Sequence, residues 1–299
     1  TLKGAALDRF LLRKQGRHWD GVPVPYVAVP DLDTRALAYF RKQALKSRRL
    51  STEILEEPDA LLIDKLHLSD AGYLKRAAVL LFHPDAERFV TGAYLKIGYF
   101  ESNVDLRYQD EVHGDLFSQI NQTIALLQTK YLKAWITYDG LQRIETFPVP
   151  DAALREAVLN AVVHKDYAVA APIQISVYPD KLMIWNPGQL PPDWTLAKLL
   201  GKHASLPFNP DVANAFFRAG WIESWGRGIE RIQHACQQAG APAPELSLDH
   251  GGLWVTFHFP PAVAGALEKT PVETLGETPV ETPLKTPDQI LRLLRQQPT

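Results

Sequence analysis

The segment REAVLNAVVHKDY, residues 155–167, places three polar side chains at helical spacing within an apolar stretch. Glu156, Asn160 and His164 are four residues apart, so on an α-helix they form one stripe. A carboxylate and an amide that face inward are costly unless they meet partners. A Mg²⁺ ion with phosphates would supply such partners, because an amide oxygen suits a hard cation and a glutamate can orient a water molecule. A solvated polar edge on a surface helix is the alternative.

A second segment, GRGIERI at residues 226–232, carries two glycines just before a predicted helix. Gly226 and Gly228 would leave backbone N–H groups at the start of that helix open to an anion. Arg231 occupies the place of the third glycine of a dinucleotide-binding fingerprint, so that fingerprint is not supported. Taken alone, the segment is equally compatible with a plain tight turn.

A third segment, WNPGQLP at residues 185–191, follows an apolar alternating run and is predicted to open a loop. Asn186 and Gly188 both favour turns for local reasons. Taken alone, this segment is compatible with a simple exit from a β-hairpin.

The elements around these segments predict an α/β (α+β) fold. Apolar spacing and turn residues predict helices at 151–164, 211–219 and 229–239 and strands at 173–178, 181–185 and 253–259, with Asp151 as the cap of the first helix. Upstream, the same criteria predict helices at 5–14, 31–46 and 115–132 and strands at 94–100, 134–138 and 143–147.

In this order, the three segments resemble the ATP-binding fold of the GHKL family, which includes gyrase, Hsp90-type chaperones, sensor kinases and mismatch-repair ATPases. More narrowly, together with AAVLLFHPDAERF at residues 77–89, they are similar to bacterial proteins described as RecG-related transcriptional regulators. In those proteins a Schlafen-type AlbA domain precedes a divergent GHKL-like domain, and a winged helix often follows. The resemblance covers about residues 70–260 and implies a GHKL-like (Bergerat-type) two-layer sandwich.

The resemblance implies roles for particular residues and two cofactors, ATP and Mg²⁺. It implies that Glu156 is the base that orients water and that Asn160 is the metal ligand. The nucleotide-binding positions it implies are Asn160, His164, Asn186, Gly188, Gly226 and Gly228. The ATPases of the family read the adenine amino group with an aspartate in an Asp-x-Gly-x-Gly loop, whereas this sequence has Asn186 and no second glycine. At most a weak ATPase is therefore expected.

A helicase motor is not expected. Such a motor needs the phosphate-binding pattern Gly-x-x-x-x-Gly-Lys-Ser/Thr, and the sequence does not contain it, since Gly201-Lys202-His203 has neither the upstream glycine nor the hydroxyl. His164 is expected to position other groups rather than to transfer protons. Cys236 is expected to be a buried small hydrophobe, and Trp221 and Trp225 are expected in the core.

Composition limits the class of protein. The 299 residues are 46% hydrophobic and 22% charged, which is the balance of a globular chain. The net charge of −2 gives no overall sign of a nucleic-acid surface, and a single cysteine excludes a disulfide within the chain or a multi-cysteine metal site. Without a signal-like N-terminus or a long apolar run, a cytoplasmic location without a membrane partner is expected.

The sequence is expected to be a piece of a longer bacterial protein, because it starts without Met and stops in mid-pattern. Four parts are predicted: an N-terminal α/β segment (1–148) that follows a missing AlbA domain, a GHKL-like domain (149–260), a Thr/Pro-rich linker (261–287) and the start of a further domain, such as a winged helix (288–299). The predicted function is nucleotide-dependent regulation of a DNA-binding transcriptional regulator. DNA contacts are expected in parts outside this sequence, and a homodimer is left open. The alternative is a degenerate GHKL fold that binds no nucleotide and serves as a dimerisation or partner-binding scaffold.

Overall fold

A six-stranded mixed sheet carries the site region in the computed structural model, which describes residues 5–139, 141–191, 194–201 and 203–260. The strands of the described residues are β1 (Ser69–Asp70), β2 (Tyr73–Leu74), β3 (Leu95–Ser102), β4 (Asp105–Val112), β5 (Trp135–Asp139), β6 (Gln142–Thr146), β7 (Ile173–Val177), β8 (Lys181–Pro187), β9 (Glu245–Asp249) and β10 (Gly252–His258). The sheet order is β4-β3-β7-β8-β10-β9, while β1 pairs with β2 and β5 pairs with β6 in separate two-stranded sheets. In the large sheet β3 and β7 run parallel, and its other described neighbours are antiparallel.

One face of the large sheet is apolar and buried, because side chains alternate along each strand. Ile97, Ile175, Ile184 and Val255 lie side by side across four strands, and each is at most 7% exposed. On the other face, at the next position of β7, Gln174 is exposed. The fold is therefore a sandwich of one sheet and helices, as the fold class predicted from the sequence requires.

Ten α-helices are present in the described residues. They are α1 (Ala5–Lys14), α2 (Thr34–Ser47), α3 (Thr52–Glu56), α4 (Asp59–Lys65), α5 (Arg76–Phe82), α6 (Leu116–Leu126), α7 (Asp151–His164), α8 (Leu196–Leu200), α9 (Pro210–Arg218) and α10 (Gly228–Gln238). Helix α7 packs on β8 and against α10, and the two helices share a pocket with the buried face of β10. The two helices therefore lie on the same side of the sheet.

Local sequence sets several helix starts. The carboxylates of Asp33 and Asp115 accept hydrogen bonds from the backbone N–H groups of Arg35 and Ser118, at 2.8 and 2.9 Å, and so cap α2 and α6. The prediction that Asp151 caps α7 is wrong. Asp151 is the first helical residue there, and Pro150 takes the cap position without a side-chain hydrogen bond.

An aromatic cluster joins the N-terminal helices to α9. The Phe117 ring of α6 lies 6.1 Å from Phe40, 6.0 Å from Phe82, 5.2 Å from Phe216 and 4.9 Å from Trp221, measured between centroids. Such pairs add to the free energy gained from burying the rings. The region before residue 148 and the region after it thus share one core.

The large sheet also crosses the predicted boundary at 148–149, since β3 and β4 belong to it. All described residues lie in one compact unit. The division of the chain into a segment 1–148 and a domain 149–260 stays a prediction. The predicted linker and the start of a further domain, residues 261–299, lie outside the described residues. No helix among the described residues is long and apolar enough to cross a membrane.

Candidate nucleotide-binding site

The predicted site residues lie around one pocket between α7, α10 and the buried face of β8 and β10. The cavity has a volume of about 140 Å³. Its wall includes every site residue predicted from the sequence: Glu156, Asn160, His164, Asn186, Gly188, Gly226 and Gly228. The structure therefore brings together side chains from three sequence segments, while their individual roles stay predictions.

Glu156 and Asn160 lie side by side on α7, one turn apart. The Asn160 Nδ2 atom is 3.5 Å from Glu156 Oε1, and Glu156 Oε2 is 3.4 Å from the guanidinium of Arg231. Burial raises the pKa of the Glu156 carboxyl, and the charge of Arg231 opposes that rise. The stripe is thus not a solvated helix edge, because Glu156 is 8% exposed and faces a cation of α10.

Gly228 lets α10 start directly against these two side chains. A Cβ atom at this position would stand 2.7 Å from Asn160 Nδ2 and 2.8 Å from Glu156 Oε1. Any larger residue would therefore displace them. Among the described residues no side chain caps the N-terminus of α10, and the close approach at Gly228 places this positive end of the helix dipole beside the Glu156–Asn160 pair.

Asn186 lies in a strand rather than in the predicted loop, because β8 continues through Pro187. Asn186 pairs with Leu253 in the sheet, which holds its Cα rigidly. Its side chain is 5% exposed and lines the pocket. Among the described residues this side chain has no hydrogen-bond partner, and its polar atoms are accessible from the cavity, so the amide can pair with water or a ligand there.

His164 and Gly188 form the wall next to Asn186. Burial, together with the nearby His203, lowers the pKa of His164 to about 4, so its imidazole is neutral near pH 7. This favours positioning over phosphate charge neutralisation. A Cβ atom at Gly188 would stand 3.3 Å from the backbone oxygen of His164, which shows how closely the strand end approaches the end of α7.

Gly226 faces the segment between β8 and α9. A Cβ atom there would stand 2.5 Å from the His203 backbone oxygen, and the Gly226 φ of 68° favours glycine as well. The His203 ring also contacts Trp194, at 4.7 Å between centroids. Gly226 thus allows two chain segments to pack together. Of Gly226 and Gly228, it is Gly228 that lies close to the side chains of α7.

Sequence reasoning missed Arg231 as part of the site and misplaced one tryptophan. Arg231 lies one turn after Gly228, so its position on the pocket side of α10 could have been read from the helical spacing. Trp225 is 73% exposed, and the prediction that it belongs to the core is wrong. Trp221 belongs to the aromatic cluster but is partly exposed, whereas Cys236 is 1% exposed and is buried as expected.

Residues of the N-terminal region hold α9 and the chain that follows it in place. Asp20 is fully buried, and its Oδ2 atom accepts hydrogen bonds from the backbone N–H groups of Asp211 and Val212 at the start of α9, at 2.8 and 3.1 Å. Its other carboxylate oxygen, Oδ1, is buried and has no hydrogen-bond partner among the described residues. At the opposite end of α9, the Arg49 guanidinium donates to the backbone oxygens of Phe217 and Ile222. These contacts fix α9 and the chain that leads to Gly226.

Comparison with known proteins supports an ATPase-type domain. Residues 170–257 match the family model described as "Putative ATP-dependent DNA helicase recG C-terminal". The matched range contains Asn186, Gly188, Gly226 and Gly228 and begins after α7. It supports a RecG-related, GHKL-like domain of the ATPase type in this part of the chain.

A solved structure shares the fold. The crystal structure of the DIP2311 protein from Corynebacterium diphtheriae matches with a TM-score of 0.66 and 20% sequence identity, over 84% of this chain and 49% of that one. This chain therefore spans about half the length of that protein. At this identity the likeness shows the fold alone. No match is found among curated proteins.

Proposed function

We propose that the pocket binds a purine nucleoside triphosphate with Mg²⁺ and that the domain is a nucleotide-dependent regulatory module. The observation that carries the proposal is the convergence of Glu156, Asn160, Asn186 and Gly228 on one cavity, where the Asn186 amide has no hydrogen-bond partner among the described residues. An amide that lines a cavity with hydrogen-bonding capacity to spare can pair with a polar ligand.

The phosphate end of the site would lie between α7 and α10. The N-terminus of α10 offers backbone N–H groups and a positive dipole, and Arg231 adds a charge 3.4 Å from Glu156. Arg231 is half exposed, so its guanidinium has room to turn from Glu156 towards a phosphate.

The residues fit a Mg²⁺ ion that is shared with phosphates. Asn160 would offer its amide oxygen, and Glu156 lies beside it to hold a water molecule. No group of three or more His, Cys, Asp or Glu side chains that could hold a metal occurs in the described residues, so phosphate and water oxygens would complete the shell. When bound, the ion would neutralise charge on the phosphates. The raised pKa of Glu156 suits a proton acceptor.

The wider role follows from the resemblance to RecG-related regulators. In this proposal nucleotide binding changes the state of a DNA-binding transcriptional regulator of the bacterial cytoplasm, whose DNA contacts lie in other parts of the protein. A motor helicase is not proposed, since the sequence contains no Gly-x-x-x-x-Gly-Lys-Ser/Thr segment.

Thermal unfolding with Mg²⁺ and ATP or ADP tests the proposal. Binding to the folded state at a hundredfold excess over the Kd stabilises it by about 2.7 kcal/mol. For a domain of this size that raises Tm by about 5–10 °C. Glu156→Gln should keep this shift and slow any hydrolysis, because a neutral amide is not a base. Melting curves that no purine nucleotide moves at millimolar concentration would refute the nucleotide proposal.

A scaffold without nucleotide is the second candidate, and one contact favours it. Gly226 packs on the backbone of His203, so packing alone accounts for a glycine at this position, without a bound phosphate. In a scaffold without nucleotide, Gln189 or Leu190 would fill the pocket. Instead, Gln189 is exposed at the rim of the pocket and Leu190 is partly exposed, which argues against the scaffold. Unchanged melting with all nucleotides, together with a concentration-dependent dimer in sedimentation, would support the scaffold.

A further inference from the structure

The base-reading end of the pocket contains an amide instead of a charged group. Asn186 lies on the face of the sheet that the helices cover. It pairs with Leu253 of β10, and Leu253 pairs with Leu248 of β9. Both leucines line the cavity, as does Val255. These flat apolar walls beside one polar group suit a planar heterocycle that stacks on the leucines and presents an edge to the amide.

No hydrogen bond from the described residues fixes the orientation of this amide. Within the described part of the chain, no hydrogen bond holds either the oxygen or the nitrogen of the Asn186 side chain, while its backbone is fixed by pairing with Leu253. A rotation of 180° about the terminal bond exchanges the donor and the acceptor at little cost. The pocket can therefore present either arrangement to a ligand.

The two arrangements match two kinds of purine edge. With the carbonyl towards position 6, Asn186 accepts from the amino group of adenine and donates to its ring nitrogen N1. With the NH₂ group towards position 6, it donates to the oxygen of a 6-oxo purine and accepts from N1–H. An ionised carboxylate has no donor, so on either edge it could pair with only one of the two groups.

We propose that Asn186 makes the pocket accept both 6-amino and 6-oxo purine nucleotides. The inference rests on the proposed nucleotide function and adds the class of base to it. Neither base edge leaves a buried polar atom of Asn186 unpaired, so neither nucleotide is rejected at this position.

Calorimetric titration with ATP and with inosine triphosphate, both with Mg²⁺, tests the inference. Inosine differs from adenine at the edge in question and carries no extra 2-amino group. The wild-type protein should bind the two with Kd values within about tenfold of each other, since each gains a bidentate pair. Asn186→Asp, measured at pH 8 to ionise the carboxyl, should weaken both nucleotides, because a carboxylate can pair with only one of the two groups on each edge and a bidentate pair is worth roughly 5- to 150-fold.

Two further variants separate base reading from damage to the fold. Asn186→Leu, of similar size, should weaken both nucleotides alike. Asn103→Asp places the same charge change in the exposed β3–β4 turn and should alter neither Kd. The inference is wrong if wild-type protein binds ATP but inosine triphosphate at least about a hundredfold more weakly. It is also wrong if Asn186→Asp binds both nucleotides as tightly as the wild-type protein does. Binding of neither nucleotide would overturn the proposed function and the inference together.

Discussion

Asp20 should make the stability of the fold fall as the pH rises towards 8. Burial, with the nearby charge of Asp211, raises the pKa of Asp20 to about 7, from 3.8 as the ordinary value. A carboxyl with a raised folded-state pKa holds its proton in the folded protein where the unfolded chain has lost it. Stability from this group is therefore fully present below pH 3.8 and is lost as the pH rises through 7.

The size of the effect follows from that pKa. The folded-state pKa of Asp20, about 7, lies about 1.5 units above pH 5.5. Each unit corresponds to about 1.36 kcal/mol, so the free energy of unfolding should fall by about 2 kcal/mol between pH 5.5 and pH 8. For a domain of this size that lowers Tm by about 4–8 °C. The amide introduced by Asp20→Asn cannot ionise, and its oxygen can still accept from the N–H groups of Asp211 and Val212. This substitution should therefore remove the pH-dependent component.

The assay is urea unfolding of wild type and Asp20→Asn across pH 5.5–8, with the exposed Asp180→Asn as the matched control. Other groups titrate in this range, so the informative quantity is the difference in unfolding free energy between variant and wild type. That difference should shift by about 2 kcal/mol in favour of Asp20→Asn as the pH rises. A difference that does not change with pH would refute the reasoning about this buried carboxyl.

Two other substitutions test the packing around the site. Gly228→Ala should weaken Mg²⁺-ATP binding at least about tenfold with little loss of stability, because its methyl group displaces Asn160 and Glu156 while alanine favours the helix. Gly201→Ala, whose methyl group would meet only ordinary contacts, should bind as wild type in the same titration. Phe117→Ala should cost about 3–5 kcal/mol in urea unfolding, as the ring centres the aromatic cluster. A cost below about 1 kcal/mol, equal to that of the exposed Phe10→Ala, would contradict that central role.

The sequence predicted the helices and inner strands of the site because their patterns are strong. Helix α7 carries polar residues at a spacing of four in an apolar background, and β7 alternates cleanly. The edge strands β4 and β9 were missed, since a strand at the edge of a sheet buries little and reads as polar. The β4 sequence DLRYQDEV has one fully buried residue, Val112.

The site was predictable as a set of residues but not as a set of contacts. Spacing along α7 and the glycines before α10 pointed to the residues that now line the cavity. The packing of His203 on Gly226 joins residues that no local pattern connects. Asn186 looked like a loop residue because of the Pro-Gly that follows, and only pairing with β10 shows that the strand continues through it.

Asn160 gives the most direct test of the nucleotide proposal. Calorimetric titration of ATP with and without Mg²⁺ should be compared for wild type, Asn160→Ala and the exposed control Asn103→Ala. We expect Mg²⁺ to tighten ATP binding in wild type and in the control, and this gain to be mostly lost in Asn160→Ala, because in this proposal the amide oxygen would be the protein's ligand to the ion. An equal Mg²⁺ dependence in Asn160→Ala and wild type, or no ATP binding by the wild-type protein, would contradict the account.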